Sequence, residues 1–231
     1  MPELSESEEE YLEALYRLGG HERQVKVGEL AKELKVKEPS VVEMLRKLDN
    51  KKLVNYESYA GASLSEKGED EGRRVTRRHR LAERLLSDVL NRDLPQIHEE
   101  ACKLEHSMAD ETADEIARVL KNPETCPHGH PIPEEKSKPE SEDLIKLTDG
   151  EKDEDYRVVS IPEEKEDVQR LLPLAILPGA KIRIAEKPSF SAIMVSRAGD
   201  KVALSRDIAS KIEVRPYGKR KRRRHRDRPN R

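Results

Sequence analysis

Apolar positions in the first fifty residues recur at helical spacing. In SESEEEYLEALYRLGG they fall at Tyr11, Leu12, Leu15, Tyr16 and Leu18, with Ser5 or Ser7 placed to cap the helix and Gly19-Gly20 to stop it. VKVGELAKELKV carries a shorter stripe of Leu30, Ala31 and Leu34. EPSVVEMLRKLDNKKLV carries Val41, Met44, Leu45 and Leu48, and Pro39 suits a first helical position, where its missing N–H costs nothing. In VNYESYAGASLSEKG the pattern becomes two short strands about Ala60-Gly61, with a new helix starting at Ser65. Helix, helix, turn, helix, β-ribbon is the order of a winged helix-turn-helix, whose third helix enters a DNA major groove. Winged modules also serve as protein-interaction platforms, so the order alone leaves both readings open.

From Glu66 to Leu120 the periodicity is helical almost throughout, with Leu81, Leu85, Leu86 and Val89 on one apolar face and a break from Asn91 to Pro95. Pro123, Pro127, Pro131, Pro133 and Pro139 end it, and EEKSKPESEDLIKLTDGEKDEDY reads as a charged linker. From Tyr156, the segments YRVVSIPEE, AKIRIAEK, SAIMVSR, KVALSR and IASKIEVRP alternate with period two. Five short strands predict a small β-barrel of SH3-like size.

Composition sharpens this picture. Charged residues make up 40% and hydrophobic ones 34%, with no Trp and a single Phe, so cores are small and surfaces ion-paired, a bias towards thermophilic sources. The net charge of -2 hides an asymmetry: the tail GKRKRRRHRDRPNR carries nine Lys/Arg against one Asp, leaving an acidic body. No apolar run approaches the roughly 20 residues of a membrane span, and MPELSESEEE has no signal-peptide character, so a soluble cytoplasmic protein is expected. In that compartment Cys102 and Cys126 are expected as thiols or metal ligands before a disulfide.

The candidate chemistry lies in the helical middle. His79 and Glu83 are four residues apart and share a helix face, as do His98, Cys102, Glu105 and His106 at i, i+4, i+7 and i+8. Solvated polar residues account for any one of them. A whole face of imidazole, thiolate and carboxylate is costly to bury unless a divalent transition metal neutralises it. Zinc-finger spacing is absent, which argues against a closed structural zinc site.

RHRLAERLL, followed by HEEACKLEHSM and CPHGHPIP, resembles the diphtheria toxin repressor family of iron- and manganese-dependent regulators over nearly the whole chain. The resemblance implies a mainly α protein with a small β domain. Its parts are a winged helix-turn-helix DNA-binding domain (1–73), a helical dimerisation and metal-binding domain (74–140), a linker (141–155), an SH3-like FeoA-type barrel (156–217) and a basic tail (218–231). It implies an ancillary metal site of His79, Glu83 and His98, joined by Glu164 and Asp167 from the barrel, and a primary site of Cys102, Glu105 and His106 with Glu10 from the first helix. Iron-responsive members place methionine at the Glu10 position. Manganese-responsive members place carboxylates there and at Glu13, with glutamate at the Cys102 position. This chain mixes the two, so Fe²⁺ is expected as cofactor, with Mn²⁺ as the alternative and Co²⁺, Ni²⁺ or Zn²⁺ as substitutes in vitro. An acidic first turn favourable to the helix dipole is the plain reading of Glu10 and Glu13. The turn CPHGHPIP is expected to be structural, with Cys126 a bystander.

The implied function is a metal-activated homodimeric repressor of metal-homeostasis genes that binds palindromic operator DNA, with no catalytic residues, membrane contact or small-molecule substrate. Metal shared between the first helix and the dimerisation domain would fix the spacing of two recognition helices. Lys37, Pro39, Ser40 and Glu43 are the candidate groove-facing residues; Arg46, Lys47, Lys51 and Lys52 are candidate phosphate contacts, and the wing tip Tyr56 to Gly61 a backbone contact. A metal-dependent hydrolase is the rival class, but HExxH or a comparable catalytic motif is absent from the sequence.

Overall fold

The computed structural model describes residues 4–134, 144–187 and 192–217. The chain divides into two compact units, Met1–Pro139 and Glu140–Arg231. In the first, α1 (Glu6–Arg17) opens on a capping box: Ser5 Oγ accepts from the Glu8 N–H, and the Glu8 carboxylate accepts from the Ser5 N–H at 2.9 Å. α2 (Val27–Glu33) and α3 (Glu38–Asn50), the latter with Pro39 in its first turn, pack on it. Leu12, Leu15, Leu30, Val41, Leu45 and Leu48 form the fully buried centre of this head, matching the stripes in the sequence. β1 (Val54–Glu57) and β2 (Gly61–Leu64) pair antiparallel with Val54 opposite Leu64. Gly61 has φ 117°, and a Cβ there would lie 2.2 Å from the Val25 carbonyl oxygen, so only glycine lets the wing close on the head.

α4 (Glu66–Arg84) starts at Ser65, whose hydroxyl accepts from the Gly68 N–H at 3.1 Å. The expected domain boundary at 73/74 falls inside this helix. A second close approach holds it to α1: a Cβ on Gly72 would lie 2.6 Å from the Leu12 carbonyl oxygen. A π-helical turn, Leu85–Val89, leads to α5 (Leu94–Glu105) and α6 (Asp110–Val119), so the helical run predicted to reach Leu120 is also interrupted after α5. Ala82, Leu86, Ile97 and Ala101 form one small core behind α4, and Leu81, Ala113 and Ala117 another. The chain then folds back: the Cys126 N–H donates to the His130 carbonyl at 2.8 Å, and Gly129 takes φ 91°. The Arg84 guanidinium donates to the Thr125 carbonyl at 2.6 Å and Arg80 to that of Pro131, which ties this turn to α4.

The second unit is a six-stranded antiparallel sheet in the order β3-β8-β4-β5-β6-β7. Its strands are β3 (Ile145–Lys146), β4 (Asp155–Ser160), β5 (Lys181–Glu186), β6 (Ala192–Arg197), β7 (Asp200–Ser205) and β8 (Glu213–Pro216). Inward positions Tyr156, Val158, Ile182, Ile184, Ile193, Val195 and Val214 build its core. Three features differ from the alternation pattern. β3 lies in the stretch expected as linker, where Ile145 pairs with Val214 and Leu147 is fully buried. Short helices α7 (Lys165–Leu171) and α8 (Arg206–Lys211) replace expected loop and strand. Val168 and Leu171 of α7, and Ile208 and Ala209 of α8, are buried.

Candidate metal centre

Three helices converge on one cluster in the first unit. α4 supplies His79 and Glu83, α5 supplies His98, Cys102 and Glu105 with His106 as its C-cap, and α1 supplies Glu9, Glu10 and Glu13. His79 is the hub. Its Nδ1 contacts the Glu105 carboxylate, its Nε2 lies 3.1 Å from His98 Nδ1 and 3.3 Å from Glu83 Oε1, and Cys102 Sγ stands 4.0 Å from Nδ1. Ligand atoms of His79, His98 and Cys102 lie within 4.8 Å of one another, as do those of Glu13, His79 and Glu105. His106 Nε2 lies 3.3 Å from Glu105. Glu10 lines an open cavity of about 650 Å³ together with His98, Cys102 and His106.

Three residues outside the expected ligand set, Glu9, His128 and Cys126, adjoin this cluster. The Glu9 carboxylate reaches His106 Nδ1 at 2.7 Å and accepts from Arg78 at 3.0 Å. His128, on the turn expected to be only structural, is fully buried with Nδ1 3.1 Å from Glu83 Oε1. Ligand atoms of Glu83, Cys126 and His128 all lie within 4.8 Å of one another, so Cys126 is no bystander in position. Its CxH spacing is the signal visible in the sequence. His79, Glu83 and His98 stand within 3.6 Å of one another and Glu105 adjoins His106, while His79 also reaches Glu105 and Cys102, so the two expected ligand groups are contiguous.

The electrostatics are those of a site short of positive charge. Burial works against a charged His79, yet Glu83, Cys102 and Glu105 outweigh it and raise its pKa well above the usual value. Burial likewise opposes the Glu83 carboxylate, but His79, His128 and His98 hold its pKa well down. Burial raises the Glu105 carboxyl, only partly offset by His79. Burial would also raise the Cys102 thiol, but His79 and His98 turn the shift downward. Among the described residues, buried Glu13 Oε1, both Glu83 oxygens, His106 Nε2 and both His128 nitrogens make no hydrogen bond of good geometry. Imidazole, carboxylate and thiolate atoms buried in this state fit a divalent transition metal.

Comparison with known proteins agrees. Residues 3–62 match "Iron dependent repressor, N-terminal DNA binding domain", residues 65–134 "Iron dependent repressor, metal binding and dimerisation domain", and residues 145–216 "FeoA domain". A helix-turn-helix transcriptional regulator of Methanocaldococcus jannaschii is 39% identical over 114 residues, 49% of this chain and 91% of that one. The iron-dependent repressor IdeR of Mycobacterium tuberculosis is 29% identical over 228 residues, 93% of this chain and 99% of its own. The chain belongs to the diphtheria toxin repressor family. A solved manganese-dependent transcriptional repressor in complex with manganese superposes with TM-score 0.81 at 25% identity, covering 90% of this chain and 99% of that one.

In this family member the remaining predicted residues fall in two places. Lys37, Pro39, Ser40, Glu43, Arg46 and Lys47 are on or beside α3, the helix that would enter a groove. Lys47 also reaches Glu8 of α1 at 3.3 Å, as does Lys51 at closer range. Glu164 and Asp167 lie in the second unit at the start of α7, where Lys211 stands 3.7 Å from Glu164 and 2.6 Å from Asp167.

Proposed function

We propose that this chain is a metal-activated homodimeric repressor that binds palindromic operators of metal-homeostasis genes, with Fe²⁺ as the preferred ion and Mn²⁺ as the alternative. The observation that carries the reading is the meeting of α1 with the α4–α5 donor cluster: Glu9 contacts His106, Glu13 adjoins His79 and Glu105, and Glu10 borders the Cys102–His106 cavity. Glu10, Glu13, His79, His98, Cys102, Glu105 and His106 would hold one ion or an adjacent pair, and Glu83, His128 and Cys126 another. Glu164 and Asp167 remain candidate ligands from the second unit. A cation bound there supplies the positive charge that these carboxylates otherwise draw from His79.

The chain's own residues provide the path to DNA. α1 is joined to α3 through Glu8 with Lys47 and Lys51, and to α4 through Glu9 with Arg78. Carboxylates of Glu13 and Glu105, mutually repulsive when unneutralised, favour withdrawal of α1 and with it a shift of α3. Exposed Val89, Leu90, Leu104 and Val119 give the helical region apolar surface for a second copy. Sulfur from Cys102 and Cys126 favours Fe²⁺, while the carboxylate count is what suits Mn²⁺.

The test is selection of duplexes from a random-sequence pool, with Fe²⁺ under anaerobic conditions, with Mn²⁺, and with chelator. Enrichment of a palindrome with metal alone supports the reading. Equal enrichment with chelator refutes it, and the metal that acts at lower concentration decides the preference.

A further inference from the structure

Glu9 of α1 is turned inward, whereas Glu6 and Glu10 of the same helix are exposed. Both of its oxygens point at protein partners: Oε1 accepts from the Arg78 guanidinium at 3.0 Å, and Oε2 faces His106 Nδ1 at 2.7 Å. Glu9 therefore stands beside the donor cluster and is not aimed into it. Arg78, on α4, also donates to the Met108 carbonyl at 3.0 Å, two residues beyond His106, so its guanidinium is fixed from two sides. The side chains of Glu9 and Arg78 are 15% and 10% exposed. An ion pair this far out of water adds little to stability, because desolvation offsets most of the attraction. Fastening α1 to α4 is then a weak account of why the pair is here, and the contact with the His106 ring supplies a stronger one.

We infer that Glu9 is a positioning residue: it fixes the hydrogen of the neutral His106 ring on Nδ1 and so keeps Nε2 bare for a divalent cation. A carboxylate accepts hydrogen bonds and cannot donate them, so the ring nitrogen that faces it carries the hydrogen. The other nitrogen of a neutral imidazole is then a free lone pair. That nitrogen, Nε2, is buried, makes no hydrogen bond of good geometry, and lies 3.3 Å from Glu105 Oε1. Glu105 is the rival acceptor for the same hydrogen, but its contact is longer and poorly aligned, against 2.7 Å at Glu9. With the hydrogen on Nδ1, two lone-pair atoms face each other across that gap, an arrangement that a cation stabilises. Metal-binding imidazoles are commonly held in this way, with the second ring N–H given to a carboxylate. Arg78 decides which Glu9 oxygen is left for the ring. The inference rests on the proposed function for what Nε2 awaits, whereas the place of the hydrogen does not depend on it.

The experiment reads the ring nitrogens by NMR in the full chain labelled with ¹⁵N in its histidine rings, in chelator, at a pH that leaves the ring neutral. His106→Ala assigns the resonances. The parent should show a protonated Nδ1 and a bare Nε2. In Glu9→Gln the amide oxygen stays with the charged Arg78 donor, so the amide NH₂ turns to the ring and the hydrogen moves to Nε2. Mn²⁺ binding at the site that His106→Ala removes, followed by paramagnetic resonance of the free ion, should then weaken about ten- to hundredfold. In Glu9→Gln with Arg78→Met the amide is free to turn its oxygen to Nδ1, and the parent hydrogen position and Mn²⁺ affinity should both return although the ion pair is gone. A residue that only fastened α1 to α4 would leave the double variant no better than the single one, and that result overturns the inference. So does a parent ring protonated on Nε2, a Glu9→Gln ring still protonated on Nδ1, or a moved hydrogen with unchanged Mn²⁺ affinity. Absence of Mn²⁺ binding in the parent refutes the proposed function instead, and the ring resonances decide the hydrogen's place without it.

Discussion

Glu8 offers the sharpest test of how α1 is fastened to the recognition helix. Its side chain is 2% exposed, yet it meets Lys47 and Lys51 of α3 and its C-cap, whose side chains are 54% and 31% exposed. Burial by itself raises the Glu8 pKa, but Lys51, the Ser5 N–H and Lys47 outweigh it and bring it to about 2. Glu8→Gln keeps the volume and the capping hydrogen bond but removes the charge. Charge-assisted hydrogen bonds contribute about 1.5–3 kcal/mol each, and the partly wet lysines place this case at the lower end, about 1–2 kcal/mol. Glu8→Ala also removes half of the capping box, worth about 1 kcal/mol more. Urea denaturation followed at 222 nm, where the helices dominate, reads both losses. A cycle with Lys51→Met should show a coupling of about 1 kcal/mol. Glu8→Gln within about 0.5 kcal/mol of the parent, with no coupling to Lys51, would refute the claim that this carboxylate holds α3 to α1.

Other consequences are as specific. Gly72→Ala forces a Cβ against the Leu12 backbone, so α1 must move off α4; the expected loss is about 1–3 kcal/mol, with weaker metal binding measured by calorimetry, and an unaltered affinity contradicts the packing argument. His128→Ala is expected to reduce the number of Mn²⁺ ions bound per chain in equilibrium dialysis while His106→Ala reduces a different one; additive losses support two centres. Asp155, drawn down to about 2 by Arg183 and then Lys181, titrates below its unfolded value of 3.8. Its stabilising effect is therefore full above pH 3.8 and fades as pH falls towards 2, and carboxyl NMR should show its pKa rise in Arg183→Ala.

Much of this architecture is written in local signals. Ser5 and Ser65 mark helix starts in the sequence and cap those helices in the fold, Pro39, expected at the first position of α3, falls one residue inside it, and the stripes at Leu12, Leu15, Leu45 and Leu48 face one core. The donor face is visible because α4 and α5 are regular enough for i, i+4 spacing to fix a side. What stays hidden depends on groups distant in sequence. The first turns of α1 carry Glu6, Glu8, Glu9 and Glu10, and only the positions of Lys51 and His106 separate their roles. His128 lies on a turn whose place is set by Arg80 and Arg84 reaching its carbonyls, which no local periodicity encodes. β3 escapes because two residues in a charged stretch acquire strand geometry only when β8 is beside them.

The central claim is that metal occupancy fastens α1 to the α4–α5 cluster, and amide hydrogen exchange across residues 6–17 measures it without knowledge of the operator. Addition of Fe²⁺ or Mn²⁺ should slow exchange in α1 in the parent protein, and Glu10→Ala with Glu13→Ala should abolish the slowing while α4 remains protected. Exchange in α1 that is the same with and without bound metal would contradict the account.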